Sequence, residues 1–474
     1  MFKSSMASIL YKLEPLYRHF PEVKSPEKHV PLKEKIIWAG IILILFFIMG
    51  QVTPIGAAMP TSSNLGVMQI VFASQLGTLM SVGIGPIVTA SIILQLLVGA
   101  KMINLDLKNP EDRGVFQGTQ KLLVILVALF ESYAFVSIGA IPLTVPGDFG
   151  LILFVTFQIT FASVLLMFLD EVVSKWGIGS GIGLFIAGGV AQVIVNGAFS
   201  FVSTGSGGFV GIIPNFLSQL SMGNLDILLL WPVLMTGVIF LIVAYLESLK
   251  IEIPLSYGRF GIGARYPLKF FYTSNIPVIL ASAVLANVVI FAGIFQGIGA
   301  PILGQVQNGQ IIQNLEQGGI GYLITPGELG YSNGVLSPTG VARLAEPAVW
   351  LHLAVYVLVF LAICVLFGVF WVMMSSMDPE TVASQMEQSG LQIPGFRADK
   401  RVIQKVLERY IPQLTVVSSV FVGLVAVTAD LAGALGTGTG ILLTVGILYR
   451  MYEDIKKEQV NELNPALRKF LGGK

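Results

Sequence analysis

Between Ile36 and Ala100 the chain runs for 65 residues without one Asp, Glu, Lys, Arg or His, about three times the roughly 20 residues that one bilayer-crossing helix needs. One helix cannot account for it. Ile36 to Gly50 is apolar, Gln51 to Gly66 is broken by Pro54, Gly56 and Pro60 and by Thr61, Ser62, Ser63 and Asn64, and apolar character resumes from Val67 to Leu97. Irregular backbone is tolerated at membrane depth only where it is buried in protein or lines a watery cavity. The broken, uncharged stretch is therefore expected to fold back into a helical bundle. A bundle built around such an element encloses a path.

Hydrophobic residues make up 54% of the 474 and charged residues 12%, room for about ten spans with loops. The expected fold is an all-α integral membrane protein of ten transmembrane helices, over 35–51, 77–99, 115–139, 149–169, 179–198, 226–248, 275–295, 348–371, 412–429 and 433–451. The lone cysteine, Cys364, falls in the eighth span, where no intrachain disulfide can form and packing is its expected role. The region before the first apolar segment is far longer than a secretory n-region, so that segment is expected to be a retained helix.

Cytosolic loops of membrane proteins carry the Lys/Arg excess. With the N-terminus inside, 27 of the 28 basic residues fall on the cytosolic side and only Arg343 lies outside. Ten spans then return the C-terminus to the cytosol. Ile9, Leu10, Leu13, Leu16, Tyr17 and Phe20 among basic residues indicate an amphipathic helix at the interface.

Internal repetition is the next signal. Gly85-Pro86-Ile87-Val88-Thr89-Ala90-Ser91 matches Ile276-Pro277-Val278-Ile279-Leu280-Ala281-Ser282 in Pro, Ala and Ser, and Gly179-Ser180-Gly181-Ile182 is echoed by Gly438-Thr439-Gly440-Ile441. Two halves of five spans follow, and because five is odd the second half enters the membrane from the opposite side, giving inverted pseudo-symmetric halves around a central pore. Close packing of two unrelated helices by Pro and small residues is the alternative. The expected organisation is a cytosolic segment over 1–34, an N-terminal half over 35–200, an external connection over 201–225, a C-terminal half over 226–451 with cytosolic loops 249–274 and 372–411, and a cytosolic tail over 452–474.

Three function classes compete. A membrane enzyme needs paired carboxylates, a nucleophile with a base, or a metal cluster; His19 and His29 lie in the N-terminal arm, His352 stands alone near the outer end of span eight, and no nucleotide-binding or zinc motif occurs. No catalytic residue, metal or cofactor is expected. An ion-coupled transporter needs ionisable groups at midmembrane, and Glu131 is the one deep candidate, its role open. A passive channel is served by a neutral aliphatic lining that seals by dewetting. The chain fits the channel better, with a small-solute secondary transporter of the same architecture as the runner-up.

Gly83-Ile84-Gly85-Pro86-Ile87-Val88-Thr89-Ala90-Ser91, Gly177-Ile178-Gly179-Ser180-Gly181-Ile182-Gly183, Tyr272-Thr273-Ser274-Asn275-Ile276-Pro277-Val278-Ile279-Leu280 and Ile393-Pro394-Gly395-Phe396-Arg397 occur in order. Together they resemble the SecY family of protein-conducting channels, in its archaeal and eukaryotic branch, over almost the whole chain. The resemblance implies a pore ring at Ile84, Val88, Ile182, Ile186, Ile279 and Leu443; from the residues alone core packing is the favoured reading of these aliphatic positions, and the pore assignment rests on the resemblance. It implies a plug at about 52–74, including Pro60, Asn64, Val67, Ile70 and Val71. A lateral gate would lie between spans two and three on one edge and seven and eight on the other, with Thr89, Gln120 and Asn275 as its polar cluster. Arg259, Arg265, Lys269, Arg397, Lys400 and Arg401 would bind the ribosome, a role that the positive-inside rule by itself does not require. The implied partners are small SecE-type and Sec-beta-type membrane subunits in a heterotrimer, the ribosome, nascent polypeptide with its signal sequence, and membrane lipid. The implied location is the plasma membrane of an archaeon, or the endoplasmic reticulum of a eukaryote, with both termini cytosolic.

Overall fold

A computed structural model of the chain describes residues 21–463 apart from 29, 59–72, 100–101, 104, 106–108, 204–207, 224, 258–262, 270, 274, 298, 308–309, 313, 331–333, 339, 376, 389–390 and 393–399. The amphipathic segment over 9–20 and the expected plug residues Pro60, Asn64, Val67, Ile70 and Val71 lie outside the described residues, as do Arg259 and Arg397.

The described residues are mostly helical, and a helix lies at each expected span. These are α1 (Leu32–Met49), α2 (Gly85–Gly99), α3 (Pro110–Ser137), α4 (Phe149–Trp176), α5 (Gly181–Phe199), the short α6 (Ile212–Ser221), α7 (Trp231–Ser248), α8 (Ile276–Gly297), the short α9 (Leu315–Ile324), α10 (Pro347–Met374), the short α11 (Pro379–Gln388), α12 (Lys400–Leu431) and α13 (Gly438–Leu463); the short α6, α9 and α11 lie between expected spans. Seven of them are long and apolar enough to cross a bilayer: α3, α4, α5, α7 with the 3-10 turn before it, α8, α10 and α12. The other three at expected spans fall short for visible reasons. Helix α2 has 15 residues, and α1 and α13 carry charges at one end, from Lys33 to Lys35 and from Arg450 to Lys457.

Boundaries shift where backbone geometry overrides hydropathy. Span two was expected from 77, yet residues 75–84 form turns closed by bonds such as Gln75 N–H to Met80 O and Leu79 N–H to Val52 O. Gly83 sits at φ +58°, a left-handed conformation that glycine enters cheaply, and Pro86 with its fixed φ opens the helix behind it. Helices α12 and α13 instead run about a dozen residues past the expected apolar limits, because hydrogen bonding continues where hydropathy stops. The start of α12 is stabilised by a second core in which Ile403, Leu407 and Ile411 pack with Val382, Ala383 and Met386 of α11.

The all-helical expectation needs one correction. Strand β1 (Lys250–Tyr257) pairs antiparallel with β2 (Gly263–Lys269), and a two-residue β5 (Leu391–Gln392) adds to its other edge; a second tiny hairpin, β3 (Val306–Gln307) with β4 (Gln310–Ile311), lies between α8 and α9. Alternation in Lys250–Tyr257 and the β-branched Ile251 and Ile253 favour extended structure outside the bilayer, but a search for apolar runs passes over it.

Two helix starts share one device. At α5 the Asp170 carboxylate, from the end of α4, accepts the Ile182 N–H at 2.8 Å. At α13 the Asp430 carboxylate, from the end of α12, accepts the N–H groups of Gly438 at 2.7 Å and Thr439 at 3.3 Å. A helix N-terminus presents unpaired amides and a positive dipole end, so in each case the preceding span supplies the acceptor that hydrocarbon cannot. At Gly438 a Cβ would collide with the Ala429 Cβ and the Asp430 backbone nitrogen. Gly438→Ala is therefore expected to destabilise the protein by about 1–3 kcal/mol, whereas Gly40→Ala on the open face of α1, with nothing within 4 Å, should leave stability unchanged or slightly raised. Thermal unfolding in mild detergent reads both.

Candidate gate and pore

The aliphatic residues of the expected ring come together in one core. Ile84, Val88, Ile186 and Leu443 are fully buried members of the central cluster, and Ile182 and Ile279 pack against it half-buried. They are carried by α2 and the turn before it, α5, α8 and α13; α2 packs on α8, α8 on α13 and α13 on α5. Buried together, these branched side chains present neither charge nor hydrogen-bond partner, the lining that a dewetted seal requires.

Beside it runs a seam. Helix α2 packs on α3 along one side and on α8 and α10 along the other, and α3 also touches α8. Polar side chains are few here, and three hydrogen bonds join them. Thr89 Oγ1 of α2 donates to Glu131 Oε1 of α3 at 3.0 Å, and Asn287 Nδ2 of α8 donates to Thr89 Oγ1 at 3.1 Å. Gln120 Nε2 of α3 donates to Ser91 Oγ of α2 at 2.7 Å.

The three polar residues expected at the gate have different partners. Of Thr89, Gln120 and Asn275, only Thr89 meets the opposite edge. Gln120 ties α3 to α2, two helices on the same side, and Asn275 Nδ2 donates to the Leu442 carbonyl of α13 at 3.1 Å, away from the seam. The asparagine that reaches Thr89 is Asn287, twelve residues further along, which at ~100° per residue is about 120° around the helix from Asn275. Sequence reading missed it. The available signal was that Asn287 is the one amide within the apolar run of span seven, as Glu131 was the one deep carboxylate. Glu131 is buried, and its partner is a hydroxyl rather than a cation.

Between the spans, β5 against β1 brings the two basic loops together, with Ser256 opposite Gln392 and Tyr257 opposite Leu391. Arg265 lies on β2 opposite Pro254, and Lys400 and Arg401 open α12, Arg401 exposed. Lys269 is not a free cation: its Nζ pairs with Glu453 of α13 at 2.6 Å and lies 5.3 Å from the centre of the Tyr449 ring. Lys175 is likewise engaged, bonding Glu171 at 2.9 Å and Glu22 at 3.1 Å, while Glu171 also holds Lys121 of α3 at 3.0 Å. The arm before α1 is thereby strapped to the inner end of α4. Among the described residues no group of three His, Cys, Asp or Glu is placed to hold a metal ion, and His352 is buried with its Nε2 2.8 Å from the Thr325 carbonyl and its ring against Tyr322.

A bundle of apolar helices with a buried aliphatic cluster and a sparsely bonded seam beside it can be compared with known membrane proteins. The SecY family signature matches residues 78–452. The protein translocase subunit SecY of Methanothermobacter thermautotrophicus is 45% identical, covering 98% of this chain and 100% of that protein. A solved protein-conducting channel is 43% identical with a TM-score of 0.83, over 96% of this chain and 99% of that one. Sec61 in the canine ribosome–channel complex from the endoplasmic reticulum is 42% identical with a TM-score of 0.80, over 96% and 99%. The chain belongs to the SecY family of protein translocase subunits.

Because the Asn287–Thr89 bond is the polar bond that joins the two edges among the described residues, Asn287→Ala should favour seam opening by ~0.6–2 kcal/mol, the range for one interhelical hydrogen bond in a membrane. Less hydrophobic signal sequences should then be accepted. Gln120→Ala, which stays within one edge, should leave the hydrophobicity threshold for signal insertion unchanged. A graded series of signal sequences in a translocation assay measures the difference.

Proposed function

We propose that this chain is the central pore-forming subunit of a membrane channel that passes unfolded secretory polypeptides through its middle and releases apolar segments sideways into lipid. The observation that carries the reading is the pairing of an all-aliphatic constriction with a neighbouring seam that a single Asn–Thr bond pins across. A threading polypeptide needs walls that offer its varied side chains no fixed partner, and a signal sequence needs a lateral exit that costs little to break.

The full architecture is ten spans in two inverted halves of five. Support comes from the paired Asp caps: Asp170 joins span four to span five and Asp430 joins span nine to span ten, positions that correspond when the halves are overlaid by span order. By the basic-residue distribution both termini are cytosolic, the first cap is near the inner face and the second near the outer one, as an inverted repeat requires. The uncharged 52–74 segment serves as the plug. The membrane is the archaeal plasma membrane, or the endoplasmic reticulum in a eukaryotic cell.

Small SecE-type and Sec-beta-type subunits complete the complex, and they and lipid cover apolar faces that the chain leaves exposed, such as Ile37, Ile41 and Ile44 of α1 and Leu234 and Leu241 of α7. With no nucleotide motif of its own, the channel takes its driving force from elongation at a ribosome or from another cytosolic partner. The loops joined by the β1–β5 pairing form the ribosome contact, Arg259, Arg265, Arg397, Lys400 and Arg401 meeting RNA phosphates, with Lys269 acting instead as a tie to α13.

Two measurements test this. Replacing Ile84, Val88, Ile182 and Ile279 together with Ser should let water into the constriction and raise resting ion conductance in planar bilayers; a variant as tight as the parent removes the ring assignment. Charge reversal at Arg265 and Arg397 should weaken cosedimentation with ribosomes and flatten its salt dependence, because each lost phosphate contact releases about one counterion fewer, while thermal stability changes little. Reversal variants that bind with the parent's affinity and salt slope reduce these residues to topology signals.

A further inference from the structure

Helix α8 is held by polar bonds at two places of opposite allegiance. Near its middle, Asn287 bonds Thr89 across the seam. Where it begins, the bonds stay within its own half of the chain: Thr273 Oγ1 lies 3.1 Å from Ser418 Oγ and 3.5 Å from Ser419 Oγ of α12, and Asn275 Nδ2 donates to the Leu442 carbonyl of α13 at 3.1 Å. Thr273, Asn275, Ser418 and Ser419 are all buried. The two fixings are twelve residues apart, about 18 Å along a helix rising ~1.5 Å per residue.

The Asn275 contact is a fitted one. Leu442 and Gly446 stand one turn apart on α13, and a Cβ on Gly446 would occupy the position of the Asn275 Nδ2 atom and come 2.8 Å from its Cγ. Only glycine leaves the notch into which the amide fits. Asn275 Oδ1 has no hydrogen-bond partner among the described residues, so the side chain gives up half of its bonding capacity to sit there. Asn275 also precedes Ile279 by one turn, and the Ile279 N–H closes the first helical bond onto the Asn275 carbonyl at 3.2 Å. Its acceptor is the residue next to Leu443. The notch therefore fixes two residues assigned to the constriction, Ile279 and Leu443, relative to each other.

We propose that Asn275 seated in the Gly446 notch is the pivot of α8: when the seam opens, the Asn287 end leaves Thr89 while the Asn275 end stays on α13. This rests on the seam acting as the gate. It makes Asn275 a positioning residue, which keeps the constriction formed while the seam parts. A seam bond can break without exposing a deeply buried group; the notch bond cannot, since pulling Asn275 out leaves the Leu442 carbonyl with a vacated cavity beside it.

Cross-linking tests the pivot in the assembled complex, in vesicles, on a Cys364→Ala background. The contact distances at the notch bring the two Cβ atoms near the ~3.5–4.5 Å a disulfide needs, so Asn275→Cys with Gly446→Cys can be oxidised and reduced in the same preparation, which controls for folding. Translocation should be equal within about twofold in the two states. Thr89→Cys with Asn287→Cys, bridged by a short bis-maleimide, should stop it. A block by the oxidised notch pair that reduction relieves overturns the pivot and leaves the gate standing. Continued translocation with the seam bridged overturns the gate assignment and the pivot with it. The donor is tested separately: Asn275→Asp keeps the shape but loses the N–H, and should raise resting ion leak at least as much as Asn275→Ala, by roughly tenfold for one buried hydrogen bond of ~1.4 kcal/mol. Parent-level leak in the Asp variant would show that shape alone holds α8, against the proposal.

Discussion

Hydrocarbon offers no hydrogen-bond partner, so a polar group between membrane helices either finds one on another helix or weakens the fold. Apolar faces alone do not choose among neighbours in lipid, because lipid tails are as apolar as leucine. What fixes the helices against each other is a sparse set of polar contacts together with close packing of small residues. Asp170 and Asp430 cap the helices that follow them, Thr273 and Asn275 hold the start of α8, and Thr89, Glu131 and Asn287 join three helices at the seam.

The distribution of these contacts separates what is fixed from what can part. Bonds at the start of α8 are buried and lead to α12 and α13, and the bond at its middle leads to α2. Between these two fixings in the chain lies Ile279, which packs against the central aliphatic cluster. Aliphatic contacts are not directional, so the register of the helices that carry them rests on the neighbouring polar bonds. Lys269 and Glu453 play a similar part, tying the β1–β2 hairpin to the same helix that carries Leu443.

Much of the fold was legible because the membrane imposes it: apolar length predicts where helices lie, and all ten expected spans have a helix at their position. The departures have local causes. Gly83 and Pro86 shorten α2, charged residues leave α12 and α13 helical beyond the apolar window, and the hairpin from Lys250 is a strand pattern that a search for apolar runs is blind to. The site was legible only in part. Aliphatic positions four apart define a face, and those residues do gather in one core, whereas the Asn287–Thr89 bond was not anticipated and Asn275 bonds α13 instead.

The sequence by itself determined the apolar surroundings, the helices and the kinship carried by the Gly-Ile-Gly-Pro and Thr-Ser-Asn-Ile-Pro runs, because hydropathy and motif order are properties of the chain read in one dimension. Only the tertiary structure decided which polar side chain meets which. Asn275 and Asn287 lie on one helix with identical chemistry, and their separation of about 120° around it sends one to a glycine notch on α13 and the other to Thr89. Each partner lies more than 150 residues away in the chain, and helix rotation and neighbour choice, which fix that pairing, arise only when the bundle packs.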